Sequence, residues 1–311
     1  MAIDIKVFWH KSPDTDCICS AIVFADYLNQ KWYNATAYKL WNLNKETEFL
    51  LNKLWVEAPE TIETLEEWSR IALVDHNESS QSIDNLDKLD VEFLVDHHKI
   101  DFSTKAPVNI RMEKLCSTAS IVYKMYKEAW LELSQTNAKL LLSALLSDSL
   151  LFKSATTTKE DTILAEELNK IAEFVDYKEH AIEMFNAKSD LWDISIEELI
   201  KYDYKEFDLN WTKCWVWTLE TTNPDYALWR KEEILEWMKE IKEKDWLDFI
   251  LLSIVDIIDE KNISIVLDWF ESEVISEVFN TKVIDNEADL KHRLSRKKQI
   301  IPDLTEYFNK K

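Results

Sequence analysis

Glycine is absent from this sequence, and no other feature of its composition is so unusual for a globular protein. The chain has 14 tryptophans and no glycine among 311 residues, although a chain of this length would typically contain roughly 22 glycines. Glycine adopts positive φ without a steric penalty, and tight turns and helix ends depend on it. The sequence as written therefore lacks the residue from which ordinary turns are built.

Several tryptophans stand where glycine would be expected. Trp32 follows a helical run ending YLNQK, and Trp130 follows IVYKMYKEA; both are positions where helices often end with glycine. Trp211 follows Asn210 between EFDLN and TKCWVWT, as in an Asn-Gly hairpin turn. We interpret the tryptophans as glycines encoded by UGA and read as tryptophan. Deliberate Gly→Trp substitution and a naturally tryptophan-rich protein are the alternatives.

Cysteine pairs and long apolar runs are also lacking. The four cysteines, Cys17, Cys19, Cys116 and Cys214, do not have the C-x₂-C spacing of a zinc site, so we expect reduced thiols. No apolar run reaches the roughly 20 residues of a transmembrane helix. The N-terminal MAIDIKVF leads directly into a predicted strand and not into a signal peptide. We therefore expect a cytoplasmic protein with no membrane partner.

Positive charge is scarce. The chain has 59 Asp and Glu against 37 Lys and Arg, a net charge of −22. It lacks the basic face of a nucleic-acid scaffold, so no nucleic-acid partner is expected. An anionic substrate remains compatible with this charge, because bound divalent metals would dominate the local field.

The order of apolar runs predicts an α/β fold with two domains. Up to about residue 190, short apolar strands alternate with helices, which is typical of a doubly wound parallel sheet. A smaller α/β region follows, with a hairpin, an amphipathic helix and two further strands. We expect a first domain of residues 1–190 and a second of residues 195–311.

Metal-ligand residues recur at the ends of the apolar runs. After the run IKVF come His10, Asp14 and Asp16, and after IALV comes Asp75. Asp96, His97 and His98 follow VEFLV, and Asp148 ends the helical run LLLSALLSD. Ligands bind at the carboxyl ends of strands in such sheets, so distant segments can converge there. Carboxylates mixed with imidazoles suit Mn²⁺ or Mg²⁺, and this number of them predicts a two-metal hydrolytic site.

Each of these residues also has an ordinary interpretation. Asp16 or Asp75 could cap a helix, the histidines could face solvent, and Asp148 could be exposed. A basic run, Ser295 to Gln299 (SRKKQ), has cations suited to phosphate oxygens, but it could be a solvated face. By its local sequence alone, Lys205 is a generic surface lysine.

Taken together, the motifs resemble those of the family II, manganese-dependent inorganic pyrophosphatases of the DHH phosphoesterase superfamily. The resemblance covers nearly the whole chain. It runs in order through FWHKSPDTDCICSAIVFADYL, ALVDHNESSQS, LVDHHKIDFST, STASIVYKMYKE, LLLSALLSDSLLFKS, YKEFDLN and SRKKQIIPDLTE. The length matches the plain two-domain form of that family.

The resemblance implies a ligand set and a reaction. His10, Asp14, Asp75 and Asp148 would hold one metal, and Asp16, Asp75 and His97 the other, with Asp75 bridging. His98 would contact substrate and assist proton transfer, and Lys205, Arg296 and Lys297 would grip phosphates. The metals would be two Mn²⁺ per subunit, with Co²⁺ possible and Mg²⁺ arriving with the substrate.

On this basis, pyrophosphate would be hydrolysed to two phosphates by a metal-bridging hydroxide, in a cleft between a DHH domain and the smaller C-terminal domain. A homodimer is implied. A short-chain exopolyphosphatase of the same superfamily and a catalytically silent metal- or phosphate-binding protein are the alternatives.

The sequence departs from the family pattern at several positions. Ser12 replaces the usual asparagine, and Ser80 replaces the first residue of a glutamine pair. Lys139 and Lys188 stand where the family has glycine, and no recoding of tryptophan explains these two.

Overall fold

The chain folds as two compact units, Met1–Ala187 and Lys188–Lys311. A computed structural model describes residues 2–11, 13–189, 195–196 and 204–310. Ser12 and most of the boundary expected between residues 190 and 195 lie outside the described residues. No helix in the described part of the chain is both long and apolar enough to cross a membrane.

The first unit is built on a six-stranded parallel sheet. Its strands are β1 (Asp4–Phe8), β2 (Asn34–Lys39), β3 (Glu60–Thr61), β4 (Arg70–Val74), β5 (Asp90–Asp96) and β6 (Asn109–Met112). Their order is β3-β2-β1-β4-β5-β6, and each adjacent pair is parallel. The predicted doubly wound sheet is confirmed. The strand order reverses between β1 and β4, which is where such folds bind ligands.

Helices of the first unit begin at side chains that can cap them. The helices are α1 (Thr15–Gln30), α2 (Lys45–Leu54), α3 (Thr118–Ala129), α4 (Gln135–Asp148), α5 (Lys159–Ala172) and α6 (Tyr177–Ser189). The first five are preceded by Asp14, Asn44, Ser117, Ser134 and Thr158, each of which accepts a backbone N–H of the first turn. These caps fix where each helix begins, including the two helices that border the candidate site, α1 and α3.

The second unit has a mixed sheet and its own core. Its strands are β7 (Tyr204–Leu209), β8 (Thr212–Thr221), β9 (Phe249–Asp256), β10 (Lys261–Val266), β11 (Val283–Ile284) and β12 (Glu287–Lys291), in the order β11-β12-β10-β9-β8-β7. Helices α7 (Asp225–Trp229), α8 (Lys231–Lys244), α9 (Trp269–Phe279) and α10 (Ile301–Lys310) surround it, and a π-helical turn, Arg296–Ile300, leads into α10. Alternate residues of β8 belong to two apolar clusters, Trp217 to one and Val216 to the other. The sheet is therefore covered on both faces.

Among the residues that the structure describes, six tryptophans have the left-handed backbone that favours glycine. They are Trp32, Trp55, Trp68, Trp130, Trp211 and Trp246, with φ between 54° and 68°, and each is at least 80% exposed. Trp55 and Trp130 end α2 and α3. Trp211 and Asn210 both have positive φ between the antiparallel strands β7 and β8, as a type I′ turn requires. These positions support the interpretation that the tryptophans are misread glycines.

The two lysines that stand where the family has glycine, and Trp9, behave differently. Lys139 and Lys188 lie within helices and are not among the residues with positive φ, so neither position needs glycine. Trp9 also lacks positive φ, but it is completely buried beside His10 and its indole Nε1 has no hydrogen-bond partner. An unsatisfied buried donor is costly, and a glycine there would remove it.

Among the exposed tryptophans, we predict that glycine stabilises the chain only where φ is positive. Holding a bulky residue in the left-handed region costs about 1–2 kcal/mol, partly offset by the flexibility of glycine in the unfolded state. Trp130→Gly and Trp211→Gly should each raise the free energy of unfolding by about 1 kcal/mol. The control is Trp229→Gly, since Trp229 is also exposed but lacks positive φ. Denaturant unfolding gives the free energy of unfolding of all three variants. An equal gain in that free energy for Trp229→Gly would show that positive φ is not the cause.

A buried acid lies under the second sheet. Glu271, in the first turn of α9, is fully buried, and its Oε1 accepts from Lys242 Nζ at 2.6 Å and from the Ile250 amide at 3.2 Å. Burial raises the pKa of Glu271 to about 7; nearby Asp268 adds to the shift and Lys242 opposes it. The folded protein therefore retains a proton here at pH values where the unfolded chain has lost it.

This raised pKa predicts a pH-dependent loss of stability. Between the ordinary pKa of 4.5 and about 7, the folded state binds more protons, so stability falls as pH rises through that window. Glu271→Gln should lose less stability between pH 5 and pH 8 than the parent, by about 1–3 kcal/mol. The exposed Glu273→Gln in the same helix is the matched control. If the free energy of unfolding changes with pH in the same way for the parent and Glu271→Gln, then Glu271 does not titrate in this window.

Candidate metal centre

Three neighbouring strand ends and one helix end supply the candidate site. His10 follows β1, Asp75 follows β4 directly and His97 follows β5 directly. Strands β1 and β5 both pair with β4, so the three ends are adjacent at the carboxyl edge of the sheet. Asp148 is the last residue of α4. The sheet order thus brings together segments that are far apart in the sequence.

Asp75 is at the centre of the site. It is 1% exposed and has φ of 64°, a conformation that costs energy outside glycine and often marks functional positions. Its backbone N–H donates to the Val95 carbonyl at 2.9 Å, and its Oδ1 accepts from Thr118 Oγ1 at 2.7 Å. Its Oδ2 is buried without a hydrogen-bond partner, so a bound cation would satisfy it.

A first group of ligand atoms surrounds Asp75 on the β1 side. His10 Nε2 lies 3.6 Å from Asp75 Oδ2 and 3.8 Å from Asp14 Oδ2. These separations are long for hydrogen bonds, but two ligands that each lie about 2.1 Å from one ion are about 3–3.5 Å apart. His10, Asp14, Cys17 and Asp75 each offer one atom, all within 4.8 Å of one another. The group can hold one divalent cation.

A second group lies on the β5 side of Asp75. His97 Nε2 is 3.5 Å from Asp75 Oδ1 and 3.7 Å from Asp148 Oδ2. His97 Nδ1 is 3.1 Å from the Leu115 carbonyl, which requires the proton on Nδ1 and directs the Nε2 lone pair to the carboxylates. Holding the other ring nitrogen in this way is typical of metal-binding histidines. His97, Asp148 and Asp16 also form one group within 4.8 Å.

The position of Asp148 changes one sequence-based expectation. The resemblance placed Asp148 with His10 and Asp14, whereas the structure groups it with Asp16 and His97. The end of α4 approaches the end of β5, where His97 is its near neighbour. Sequence order does not reveal which strand end a helix terminus approaches, so this grouping of side chains is visible only in the tertiary structure.

Asp16 is held by the beginning of another helix. Its carboxylate accepts from the backbone amides of Thr118 at 2.6 Å and Ala119 at 3.0 Å, and from Ser20 Oγ at 2.9 Å. The alternative that Asp16 caps its own helix is wrong, because Asp14 is the N-cap of α1 and accepts from the Cys17 amide. Asp16 instead joins the first turn of α3 to the site.

His98 is oriented by a buried acid beside the two groups. Its Nδ1 and its backbone N–H lie 2.8 and 3.0 Å from Asp96 Oδ1, and Asn77 Nδ2 donates to Asp96 Oδ2. Burial acts to raise the pKa of Asp96, but the hydrogen bonds from His98 and Asn77 lower it to about 2. The rings of His97 and His98 are tilted by 67°. The two histidines therefore point in different directions, as their adjacency predicted.

The carboxylates of the site crowd one another. Burial, and then the charges of Asp16, Asp14 and Asp148, raise the pKa of Asp75 well above its ordinary value. Burial and Asp14 raise the pKa of Asp16 to about 6, against the helix amides. Divalent cations would relieve this repulsion, and oxygen with imidazole ligands suits Mn²⁺. The residues present therefore fit the metals that the sequence predicted.

The expected phosphate-binding residues belong to the second unit. Arg296 and Lys297 lie in the π-helical turn, whose N-cap Ser295 accepts from the Lys298 amide. Arg296 Nη1 donates to the Val216 carbonyl of β8 at 3.3 Å, so the turn is ordered against the sheet. Lys205 is in β7, but its side chain lies outside the part of the chain that the structure describes.

The sequence did not single out two residues that contact the site. Thr118 bonds Asp75 through its hydroxyl and Asp16 through its amide, and the Cys17 thiol lies within the first group. Thr118 follows Ser117 immediately before an apolar helix, a signal for a helix beginning. Nothing in that signal indicates that the helix would begin at the carboxylates.

Known proteins that resemble this chain agree with the geometry. Residues 4–145 match the DHH family, N-terminal domain, and residues 182–307 match the DHHA2 domain. A relative from Deinococcus radiodurans, named manganese-dependent inorganic pyrophosphatase, is 42% identical over 98% of both chains. A Bacillus licheniformis relative of the same name is 40% identical over 97% of this chain and 98% of its own.

Solved structures also resemble this chain. A Methanococcus jannaschii structure titled as a family II inorganic pyrophosphatase matches with a TM-score of 0.83 and 35% identity, covering 98% of this chain and 99% of that one. An exopolyphosphatase-related protein from Bacteroides fragilis reaches a TM-score of 0.51 at 14% identity, which shows a shared fold alone. From its motifs, its fold and its full-length relatives, the chain belongs to the family II, manganese-dependent inorganic pyrophosphatases of the DHH superfamily.

Proposed function

We infer that the protein is a manganese-dependent inorganic pyrophosphatase that hydrolyses pyrophosphate to two phosphates. The observation that carries this inference is the convergence on buried Asp75 of two ligand groups, within 4.8 Å each, in a chain similar over its full length to proteins of that name. A two-metal site suits the hydrolysis of a phosphoric anhydride, since cations can stabilise both the attacking and the leaving oxygen.

We propose that His10, Asp14 and Asp75 hold one metal, and that Asp16, Asp75, His97 and Asp148 hold the other. Bound Mn²⁺ would supply Lewis acidity, lowering the pKa of water and neutralising phosphate charge. Asp75 presents Oδ2 toward His10 and Oδ1 toward His97, which supports a bridging role. Its left-handed backbone and the Thr118 bond hold both oxygens in place.

The remaining groups would bind substrate and move protons. Because Asp96 holds His98 at Nδ1, we propose that Nε2 is the atom that contacts pyrophosphate and exchanges a proton. Arg296 and Lys297, with Lys205, would bind its phosphates, since a guanidinium pairs with two oxygens and an ammonium acts as a point charge. We also propose two Mn²⁺ per subunit, activity with Co²⁺, Mg²⁺ entering with substrate, a homodimer and a cytoplasmic location.

We predict that the glycine-restored chain, with all 14 tryptophans replaced by glycine, releases phosphate from pyrophosphate when Mn²⁺ or Co²⁺ is supplied with Mg²⁺. Without added metal the ligand set has no cation to bind, so a chelator should abolish phosphate release. Phosphate release is compared for pyrophosphate and long-chain polyphosphate. Preference for the polymer would favour an exopolyphosphatase, and metal binding without turnover would favour the silent binding protein.

We predict that Asp75→Ala lowers metal content more than loss of a ligand from one group. A bridging carboxylate serves both ions, and its removal leaves their mutual repulsion uncompensated. Elemental analysis should show Asp75→Ala losing both metals, and Asp148→Ala, as a single-group comparison, losing mainly one. Asp87→Ala, an exposed substitution in the same unit, is the control. Two tightly retained metals in Asp75→Ala would refute the bridging role.

A further inference from the structure

A buried glutamate lies beside the ligand loops without belonging to either ligand group. Glu46 is the second residue of α2 and only 1% exposed. A fully buried carboxylate is rare unless its oxygens are engaged. It is absent from the sequence motifs that predicted the metal centre, and it belongs to none of the groups of atoms that could hold a cation.

The contacts of Glu46 join two segments that carry metal ligands. Thr15 Oγ1 donates to Glu46 Oε2 at 2.7 Å, and Ser147 Oγ donates to the same oxygen at 2.8 Å. Thr15 lies between Asp14 and Asp16, and Ser147 directly precedes Asp148. One buried oxygen therefore connects the loop that supplies two carboxylates to the helix end that supplies a third.

Neighbouring residues strengthen the same connection. Thr47 Oγ1 lies 3.1 Å from Thr15 Oγ1. Asn44, the N-cap of α2, accepts from the Thr47 amide at 2.7 Å and donates to the Pro13 carbonyl at 3.4 Å. The beginning of α2 thus contacts the residues on both sides of Asp14, Pro13 and Thr15. A carboxylate in that turn is also favoured by the helix dipole.

We propose that Glu46 is a positioning residue for the metal centre, fixing the Asp14–Asp16 segment relative to Asp148. The proposal rests on the proposed function, since it concerns the affinity of that site for its cations. Partners that orient metal ligands without touching the metal commonly change affinity about 10–100-fold when removed. Here one residue orients ligands of both groups, because Asp14 belongs to the first and Asp16 and Asp148 to the second.

The test is Mn²⁺ affinity, measured by titration calorimetry on the glycine-restored full-length chain. Glu46→Ala should weaken Mn²⁺ binding about 10–100-fold, and Glu46→Gln, which keeps an acceptor oxygen, should weaken it less. Glu48→Gln removes an exposed charge from the same helical turn and should bind as the parent does. Pyrophosphatase activity of the Glu46 variants should recover at saturating Mn²⁺, with KM for pyrophosphate unchanged.

A second variant separates positioning from general stability. Ser147→Ala removes one donor to Glu46, so its effect on Mn²⁺ affinity should be smaller in the Glu46→Gln background than alone. A purely structural role would lower the unfolding midpoint of the metal-free protein and leave Mn²⁺ affinity unchanged, which overturns the proposal.

Mn²⁺ binding by the parent and by the Glu46 variants separates failure of the proposed function from failure of the proposed role of Glu46. If the parent chain binds no Mn²⁺, the proposed function fails and the role of Glu46 fails with it. If the parent binds Mn²⁺ and the Glu46 variants bind as tightly as Glu48→Gln, the role of Glu46 alone is rejected.

Discussion

Mutual repulsion among buried carboxylates is the constraint on which the first unit depends. Asp75 is almost inaccessible and its charged form is opposed by Asp16, Asp14 and Asp148. Helix amides, hydroxyl donors and histidines offset part of that cost, and Asp75 Oδ2 still has no hydrogen-bond partner. Bound divalent cations would offset the remainder. The N-cap Asp14, the adjacent ends of β1, β4 and β5, and the left-handed backbone of Asp75 bring these groups together.

Positive φ has two different origins in this chain. At Asp75, positive φ places a carboxylate at the centre of the candidate site, and the hydrogen bonds of its N–H and Oδ1 maintain that conformation. At Trp130 and Trp211, positive φ occurs at a helix end and a hairpin turn, where the indoles are more than 90% exposed. Strain at a functional site is maintained by surrounding contacts, whereas exposed tryptophans at turns have no such support. The distinction favours glycine as the residue for which these turns are built.

Secondary structure and element order were largely predictable from sequence periodicity. The helical runs recognised before Trp32 and Trp130 are α1, Thr15–Gln30, and α3, Thr118–Ala129. The hairpin inferred from Asn210 is also present. These features depend on local signals, such as apolar alternation and turn residues, that one stretch of sequence contains in full. Helix boundaries were less certain, because caps such as Asp14 and Asp16 compete locally.

The sequence by itself determined which residue types end the strands, and hence the metal-ligand chemistry. Only the tertiary structure decided how those residues are partitioned, since Asp148 joins His97 and not His10. It also revealed Thr118 and Glu46, whose contacts span 43 residues to Asp75 and 101 residues to Ser147. Local patterns encode strands, helices and their ends. Which ends meet depends on sheet order and helix packing, which are properties of the whole chain.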